Sequence, residues 1–160
     1  MPSERPRFRS QIHAAHVELP RQDSPRDERH LAAIFDRCGV RYTNGKKTEG
    51  NRKPDFLLPG IDEYRAWAIA DPRLVMLAAK TTCKDRWRQI LTEAAKIPTK
   101  HPCTLQPALS DAQLEEMQEE RVVLVIPARD HRTHPERWRP SLWSLDQFVE
   151  EMRQIQHQGV

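Results

Sequence analysis

Two short apolar runs constrain the fold of this chain more than any other feature of its sequence. The first is PDFLLPG, at residues 54–60, and the second is RLVMLAAK, at residues 73–80. Neither run alternates apolar with polar residues, which is the pattern of strands that are covered on both faces. We therefore predict that they form the central strands of a sheet.

The region before the first run is predicted to contain one helix and one short strand. Apolar residues recur at i, i+3, i+4 and i+7 from Leu31 to Cys38, and Gly39 stands where a helix usually ends. The residues of Val40–Thr43 are compatible with a short strand. The segment NGKKTEGN, which follows, has the composition of a turn or a hairpin tip.

The remaining sequence alternates between helical and strand patterns. The segment between the two runs, IDEYRAWAIAD, indicates a helix or an ordered loop. Residues Asp85 to Ile97 place their apolar side chains on one face of a long helix, and capping boxes at Ser110 and Ser144 open two later helices. Further strands are predicted at HPCTLQ and RVVLVIP. This order predicts an α/β fold with a mixed sheet flanked by helices.

The length of 160 residues is typical of one domain with a single core. The first residues are rich in Pro, Arg and Ser, so we predict a basic N-terminal arm at 1–26 and one domain at 27–160. No apolar run approaches the ~20 residues that span a bilayer, and the N-terminus lacks the apolar stretch of a signal peptide. A soluble, cytoplasmic protein without a membrane partner is expected.

Cysteine usage and charge narrow the function classes further. Cys38, Cys83 and Cys103 form no C-x-x-C pair, which argues against a disulfide framework and against a zinc ribbon. The net charge of +3 is only mildly basic, but segments 41–53 and 80–88 each hold a local excess of Lys and Arg. Attraction to nucleic-acid phosphates requires an excess of this kind.

Asp55 and Lys80 stand at the ends of the two predicted central strands. Asp55 opens the first strand and Lys80 closes the second, so the two side chains can meet at one rim if the strands are neighbours. Carboxylate oxygens are the ligands that Mg²⁺ prefers, and an ammonium group offsets charge that develops on a phosphate. Such a set suits metal-dependent hydrolysis of phosphodiester bonds, although Asp and Lys also occur at strand ends as turn residues and solvated charges.

A longer block of sequence gives these residues a context. PDF, LAAKTTCKDRWRQILTEAAKI, HPCTLQPALSDAQLEEM and RVVLVIP together resemble the catalytic domain of EcoRII-like type II restriction endonucleases. The likeness runs from about Glu28 to the terminal helix. It implies a PD-(D/E)XK restriction-endonuclease-like fold and Mg²⁺-dependent cleavage of both strands of double-stranded DNA.

The resemblance also implies partners and a type of DNA site. It points to a homodimer that recognises a short palindrome of the CCWGG type, and to a cognate DNA methyltransferase that acts on the same site without physical contact. Longer members of the family carry an effector domain before this one, so a chain of this length is expected to cleave a single site without autoinhibition.

One departure from the superfamily pattern concerns the second acid. Ala78 occupies the acidic position two residues before Lys80. In the EcoRII-like subfamily this acid comes from the following helix, and Glu93 matches its place. The resemblance therefore implies that Asp55 and Glu93 hold the metal. A surface position for Glu93, paired with Lys96 at i+3, is the alternative.

Two further residues match the family near its active site. Glu28 matches an upstream glutamate, although the neighbouring Asp27 would serve equally. Tyr64 falls where the family has a tyrosine, whose role would be orientation or packing. Both are included among the predicted catalytic residues.

Lys84, Asp85 and Arg86 match a family cluster that reads G·C pairs. Arg or Lys donates to guanine O6 and N7, and Asp accepts from cytosine N4. The alternative is that these residues merely cap the following helix.

These observations favour a site-specific DNA endonuclease that acts as a homodimer on palindromic DNA. A strand-nicking repair nuclease of the same fold is one alternative. A catalytically silent DNA-binding module is another, but it would be expected to lose Asp55 or Lys80.

Overall fold

A mixed sheet of four strands lies at the centre of the computed structural model, which describes residues 24–80, 86–104 and 109–159. The strands lie side by side in chain order, as β1 (Thr43–Asn44), β2 (Phe56–Leu58), β3 (Val75–Lys80) and β4 (His101–Thr104). The first three are antiparallel, and β4 runs parallel to β3. The predicted mixed sheet is confirmed, with the two apolar runs as its central strands.

Helices surround this sheet. The α-helices in the described ranges are α1 (Ser24–Cys38), α2 (Ile61–Ala66), α3 (Asp111–Glu119) and α4 (Leu145–Gln158), and the 3₁₀ helices are Glu49–Asn51, Arg86–Thr92, Ala128–Thr133 and Glu136–Ser141. Both predicted capping boxes are present, because Ser110 and Ser144 each accept a hydrogen bond from a backbone N–H at 3.3 Å. None of the helices in the described residues has the length and apolar composition needed to cross a bilayer.

Side chains of β2 alternate between two cores, one on each face of the sheet. Phe56 belongs to the core that contains residues of α1 and α4, whereas Leu57 belongs to the core that contains residues of α2. Phe35 of α1 is fully buried, with its ring centroid 5.3 Å from that of Phe56 and 6.2 Å from that of Phe148. Packing on both faces fixes the central strands and therefore the side chains at their ends.

The prediction of a long helix over Asp85–Ile97 is wrong. The described backbone forms a 3₁₀ helix at Arg86–Thr92 and then turns, with Ala94 at a φ of 47°. The ammonium group of Lys100 stabilises this turn, because it bonds three carbonyl groups between residues 93 and 97. Four of the apolar positions are still buried and Leu91 is half-buried, and they are divided between two cores, with Trp87 and Leu91 in one and Ile90, Ala94 and Ile97 in the other.

Two predicted strands are shorter or less regular than expected. The strand predicted at Val40–Thr43 is replaced by β1, because both backbone polar groups of Arg41 bond the side-chain amide of Gln156, at 2.8 and 2.9 Å. RVVLVIP is largely buried, and among the described residues its pairing with neighbouring strands consists of isolated bridges, which involve Lys100, Cys103 and Trp143.

Several expectations fall at the edges of the described ranges. Residues 1–23 of the predicted arm lie outside them, and α1 begins at Ser24, before the predicted domain start. Cys38 is a buried free thiol, while Cys83 lies outside the described residues.

Candidate active site

The register between β2 and β3 brings Asp55 and Lys80 to the same end of the sheet. Phe56 pairs with Leu77, so Asp55 lies one residue further along, beside the end of β3. Its Oδ2 accepts a hydrogen bond of 2.8 Å from the backbone N–H of Ala79, and its carboxylate is attracted by the Lys80 ammonium. The two residues that the sequence singled out are therefore neighbours in the structure.

Asp55 is held in surroundings that disfavour its charged form. Burial is the largest cause that raises its pKa from 3.8 to about 6, and the nearby Glu28 carboxylate acts in the same direction. The Lys80 ammonium and the Ala79 N–H lower the pKa and offset part of this rise. A carboxylate in such a position is stabilised by a bound cation, because the cation compensates for the lost solvation.

Glu93 provides the second carboxylate of the site. Burial raises its pKa most, Lys80 lowers it, and the charge of Asp55 raises it again, so the three side chains interact. Its Oε2 is buried and has no hydrogen-bond partner in the described part of the chain. Glu93 follows a 3₁₀ helix and does not lie two turns into an α-helix, but it reaches the same rim as Asp55 and Lys80.

Glu28 reaches the site from α1. Its carboxylate acts on that of Asp55, and the amide of Asn44 connects the two residues. The Asn44 Nδ2 lies 3.4 Å from Glu28 Oε2 and 2.9 Å from the backbone carbonyl oxygen of Asp55. Glu28 thus contacts this network through Asn44, whereas the choice between Glu28 and Asp27, which share the same helix, as the upstream acid stays a prediction.

The residues at this rim fit a hard divalent cation. Two partly buried carboxylates that repel each other, one of them with an unpartnered oxygen, form an environment that a cation would stabilise. Across residues 24–80, 86–104 and 109–159, no three His, Cys, Asp or Glu side chains are grouped as a complete metal cage. Mg²⁺ does not need such a cage, because it keeps several waters and uses one or two carboxylates together with substrate phosphates.

Tyr64 occupies different surroundings. Its hydroxyl lies 2.9 and 2.8 Å from the two carboxylate oxygens of Glu49 and accepts a hydrogen bond of 3.1 Å from the backbone N–H of Lys96. Burial and the Glu49 carboxylate raise its pKa to about 12. In the described structure the Tyr64 hydroxyl thus contacts Glu49 and Lys96, and its predicted catalytic role stays a prediction.

The predicted DNA-reading cluster cannot be placed in the same way. Lys84 and Asp85 lie outside the described residues, and of Arg86 only the backbone is described, at the start of a 3₁₀ helix.

Three polar residues near the site were not singled out by the sequence. Asn44 is described above, Arg52 donates a hydrogen bond from Nη1 to the Thr92 carbonyl, and Lys100 bonds the carbonyl of Glu93. The charges of Lys100 and Arg52 both lower the pKa of Glu93. Asn44 and Arg52 belong to segment 41–53, whose excess of Lys and Arg indicated attraction to nucleic acid but no particular site residue. No sequence pattern pointed to Lys100.

Asp55→Asn is expected to stabilise the metal-free protein near neutral pH. Because folding raises the pKa of Asp55 to about 6, the folded carboxyl binds more protons than the unfolded one between about pH 4 and 6. The free energy of unfolding therefore falls as the pH rises through this window and stays low above it. Asp55→Asn should remove this loss and gain up to about 3 kcal/mol at pH 7.

Urea denaturation in EDTA between pH 4 and 8 measures this effect. Asp62→Asn, which removes an exposed carboxylate on α2, is the matched control and should keep the wild-type pH dependence. If the free energy of unfolding of Asp55→Asn followed the wild-type curve at every pH, this would contradict the raised pKa of Asp55 in the folded protein.

Comparison with known proteins identifies relatives of this chain. The family model described as EcoRII C terminal matches residues 25–149. Over 126 residues, or 78% of this chain, the sequence is 47% identical to the type II restriction enzyme EcoRII of Escherichia coli. The chain spans about a third of the length of that relative, since the match covers 31% of it.

Solved structures with the same fold are also restriction enzymes. Metal-depleted Ecl18kI in complex with uncleaved DNA superposes with a TM-score of 0.72 at 16% identity, over 93% of this chain and 49% of that one. A PspGI–substrate DNA complex superposes with a TM-score of 0.66 at 12% identity, over 98% of this chain and 68% of that one. The fold is thus that of restriction endonucleases of the PD-(D/E)XK type.

Proposed function

Because this chain belongs to the EcoRII C-terminal family, we propose that it is a type II site-specific endonuclease that cleaves both strands of double-stranded DNA. Its proposed cofactor is Mg²⁺ and its proposed target is a short palindrome of the CCWGG type. The observation that carries the proposal is the meeting of Asp55, Lys80 and Glu93 at one rim of the sheet, where burial raises the pKa of both carboxylates.

The carboxylates of Asp55 and Glu93 would hold the cation. When bound there, Mg²⁺ would polarise the scissile phosphate and acidify the attacking water. The raised pKa of Asp55 means that protons compete with the cation for this site below about pH 6. The hydrogen bond from the Ala79 N–H fixes the orientation of the Asp55 carboxylate.

Lys80 acts through the positive charge of its ammonium group and is not a ligand of the cation. Its ammonium attracts both carboxylates, so it favours their ionised forms, which are the ones that bind a cation. In the reaction the same positive charge would offset the negative charge that develops on the phosphate, and would position the attacking water. The Asn44 amide bonds both Glu28 and the backbone carbonyl of Asp55, so it links Glu28 to this network.

The proposed substrate and assembly follow from the relatives and from symmetry. Both solved neighbours described above are complexes with DNA. A palindrome has a twofold axis, so a homodimer with one such site per subunit would cut one strand with each. A methyltransferase with the same target would be the functional partner that protects host DNA.

Arg86→Ala is expected to weaken sequence discrimination. In the proposed readout, Lys84 and Arg86 donate to guanine and Asp85 accepts from cytosine, so the variant loses a direct base contact. We expect a loss of about 1–3 kcal/mol of specific over random binding for each half-site, with little change on random DNA. Competition binding with Ca²⁺ in place of Mg²⁺ measures both affinities.

Arg88→Ala is the matched control for this variant. It removes the same charge two positions later, where the guanidinium forms an ion pair with Glu116 and lies over the Trp87 ring. Its ratio of specific to random binding should stay close to that of the wild type. A wild-type ratio in Arg86→Ala would exclude Arg86 from base readout.

Digestion of a plasmid of known sequence, followed by sequencing of the new ends, tests the proposed function. We expect double-strand breaks that recur at one short palindrome and that depend on added Mg²⁺. Open-circular product without linear product would support a nicking nuclease instead. Retarded but uncut plasmid would support a silent DNA-binding module.

A further inference from the structure

The ammonium group of Lys100 is buried and surrounded by backbone carbonyl groups. The residue is 4% exposed, and its Nζ lies 2.5 Å from the carbonyl oxygen of Glu93, 2.9 Å from that of Ala94 and 2.6 Å from that of Ile97. An ammonium group has three donors, so all of them are used. Since buried carbonyl groups must be paired, this contact stabilises the turn after the 3₁₀ helix at Arg86–Thr92.

The backbone of Glu93 is held on both sides of its Cα atom. Arg52 donates to the carbonyl of Thr92, which belongs to the peptide group before Glu93. Lys100 donates to the carbonyl of Glu93, which belongs to the peptide group after it. With both peptide groups bonded to cations, rotation of the backbone at Glu93 is restricted.

The carboxylate of Glu93 depends on this restriction for its direction. Its Oε2 is buried without a hydrogen-bond partner in the described residues, so no hydrogen bond there orients this oxygen. The side chain nevertheless extends to where it interacts with Asp55 and Lys80.

We infer that Lys100 is a positioning residue, which directs the Glu93 carboxylate towards a cation shared with Asp55. The inference rests on the proposed function of this rim as a metal site. Lys100 holds the backbone of the turn, because its three donors are all taken by carbonyl groups, and its charge acts on the Glu93 carboxylate as well. It is therefore neither a ligand nor a group that contacts DNA.

Binding of Mn²⁺ without DNA, followed by the electron paramagnetic resonance signal of free Mn²⁺, tests this role. Lys100→Met keeps the aliphatic stem and removes the ammonium. We expect its dissociation constant for Mn²⁺ to rise roughly 10–100-fold, as for other residues that orient a metal ligand.

Lys96→Met is the matched control. The Lys96 ammonium also donates to three carbonyl groups, at Tyr64, Arg65 and Trp67, but these lie at the end of α2 and not beside Glu93. This variant removes an equal number of bonds, so it should lower the melting temperature and leave the affinity for Mn²⁺ unchanged.

The same substitution in a Glu93→Gln background separates positioning from general loss of structure. If Lys100 acts through Glu93, Lys100→Met should cause no further loss of Mn²⁺ affinity there. An equal loss in both backgrounds, or wild-type affinity in Lys100→Met, would overturn the inference. Should Lys100→Met fail to fold by circular dichroism, Lys100→Gln, which keeps an amide donor, takes its place in the same comparison.

This readout is independent of DNA cleavage. Failure of the proposed function would appear as wild-type protein that binds Mn²⁺ but leaves DNA intact. Failure of the positioning role would appear only in the comparison of the Lys100 and Lys96 variants.

Discussion

Asp55→Asn should reduce Mg²⁺-dependent cleavage of DNA by about 10³-fold or more, which corresponds to roughly 4 kcal/mol in the activation free energy. The substitution keeps the shape of the side chain and removes the negative charge that would hold the cation. It also removes the repulsion with Glu93 and Glu28, so the folded protein should be more stable, not less. Loss of activity together with a gain in stability distinguishes a functional residue from a structural one.

Single-turnover cleavage of a labelled duplex at saturating protein measures this effect. Asp62→Asn, the exposed carboxylate on α2, is again the control and should cleave at the wild-type rate. Binding of the duplex in Ca²⁺ establishes that the Asp55→Asn protein still forms the complex. Cleavage within about tenfold of the wild-type rate would remove Asp55 from the catalytic centre.

Lys80→Met should lower the rate of cleavage by about 10²–10³-fold, which is typical for the loss of one group that stabilises transition-state charge. Its effect should also depend on pH. The Lys80 ammonium lowers the pKa of Asp55 and of Glu93, so both values should rise when it is removed. The acidic limb of the pH–rate profile should therefore move to higher pH.

The rate profile between pH 5 and 9 at fixed Mg²⁺ measures both effects. Asp55→Asn supplies a comparison, because it removes a carboxylate and leaves Lys80 in place. Equal losses at all pH values in Lys80→Met would contradict its electrostatic coupling to the two carboxylates. An undiminished rate would contradict its catalytic role as well.

The central strands and their ends could be predicted because their determinants are local. The runs PDFLLPG and RLVMLAAK are short, apolar and bounded by turn residues or a charge, so they indicate strands buried on both faces. Once β2 and β3 pair as neighbours, the positions of Asp55 and Lys80 follow from the register. The capping boxes at Ser110 and Ser144 are equally local, and both are present.

The segment from Arg86 to Lys100 could not be predicted in the same way. Its apolar spacing suits both an α-helix and a 3₁₀ helix, since residues three apart share a face in each. The turn that follows is stabilised by Lys100, which reaches back to bond three carbonyl groups between residues 93 and 97. No pattern in a single sequence reports which backbone groups a buried lysine will bond, so the sequence identified Glu93 but not what holds it.

The remaining differences have the same origin in contacts between distant parts of the chain. The backbone groups of Arg41 bond the side-chain amide of Gln156, 115 positions away in sequence, and do not pair with a neighbouring strand. The contact between the Tyr64 hydroxyl and Glu49 was not predictable either, because Glu49 belongs to a turn that the sequence described only by its composition, and the catalytic role of Tyr64 stays a prediction.

Cleavage of one labelled duplex with a single CCWGG site, followed as Mg²⁺ is titrated into metal-free wild-type protein, tests most directly whether the rim at Asp55, Lys80 and Glu93 is a metal-dependent nuclease centre. Both strands should remain intact in EDTA and should be cut once Mg²⁺ is in excess, with the rate saturating as the site fills. Cleavage at the same rate in EDTA, or intact DNA at every Mg²⁺ concentration with folded, DNA-bound protein, would contradict it.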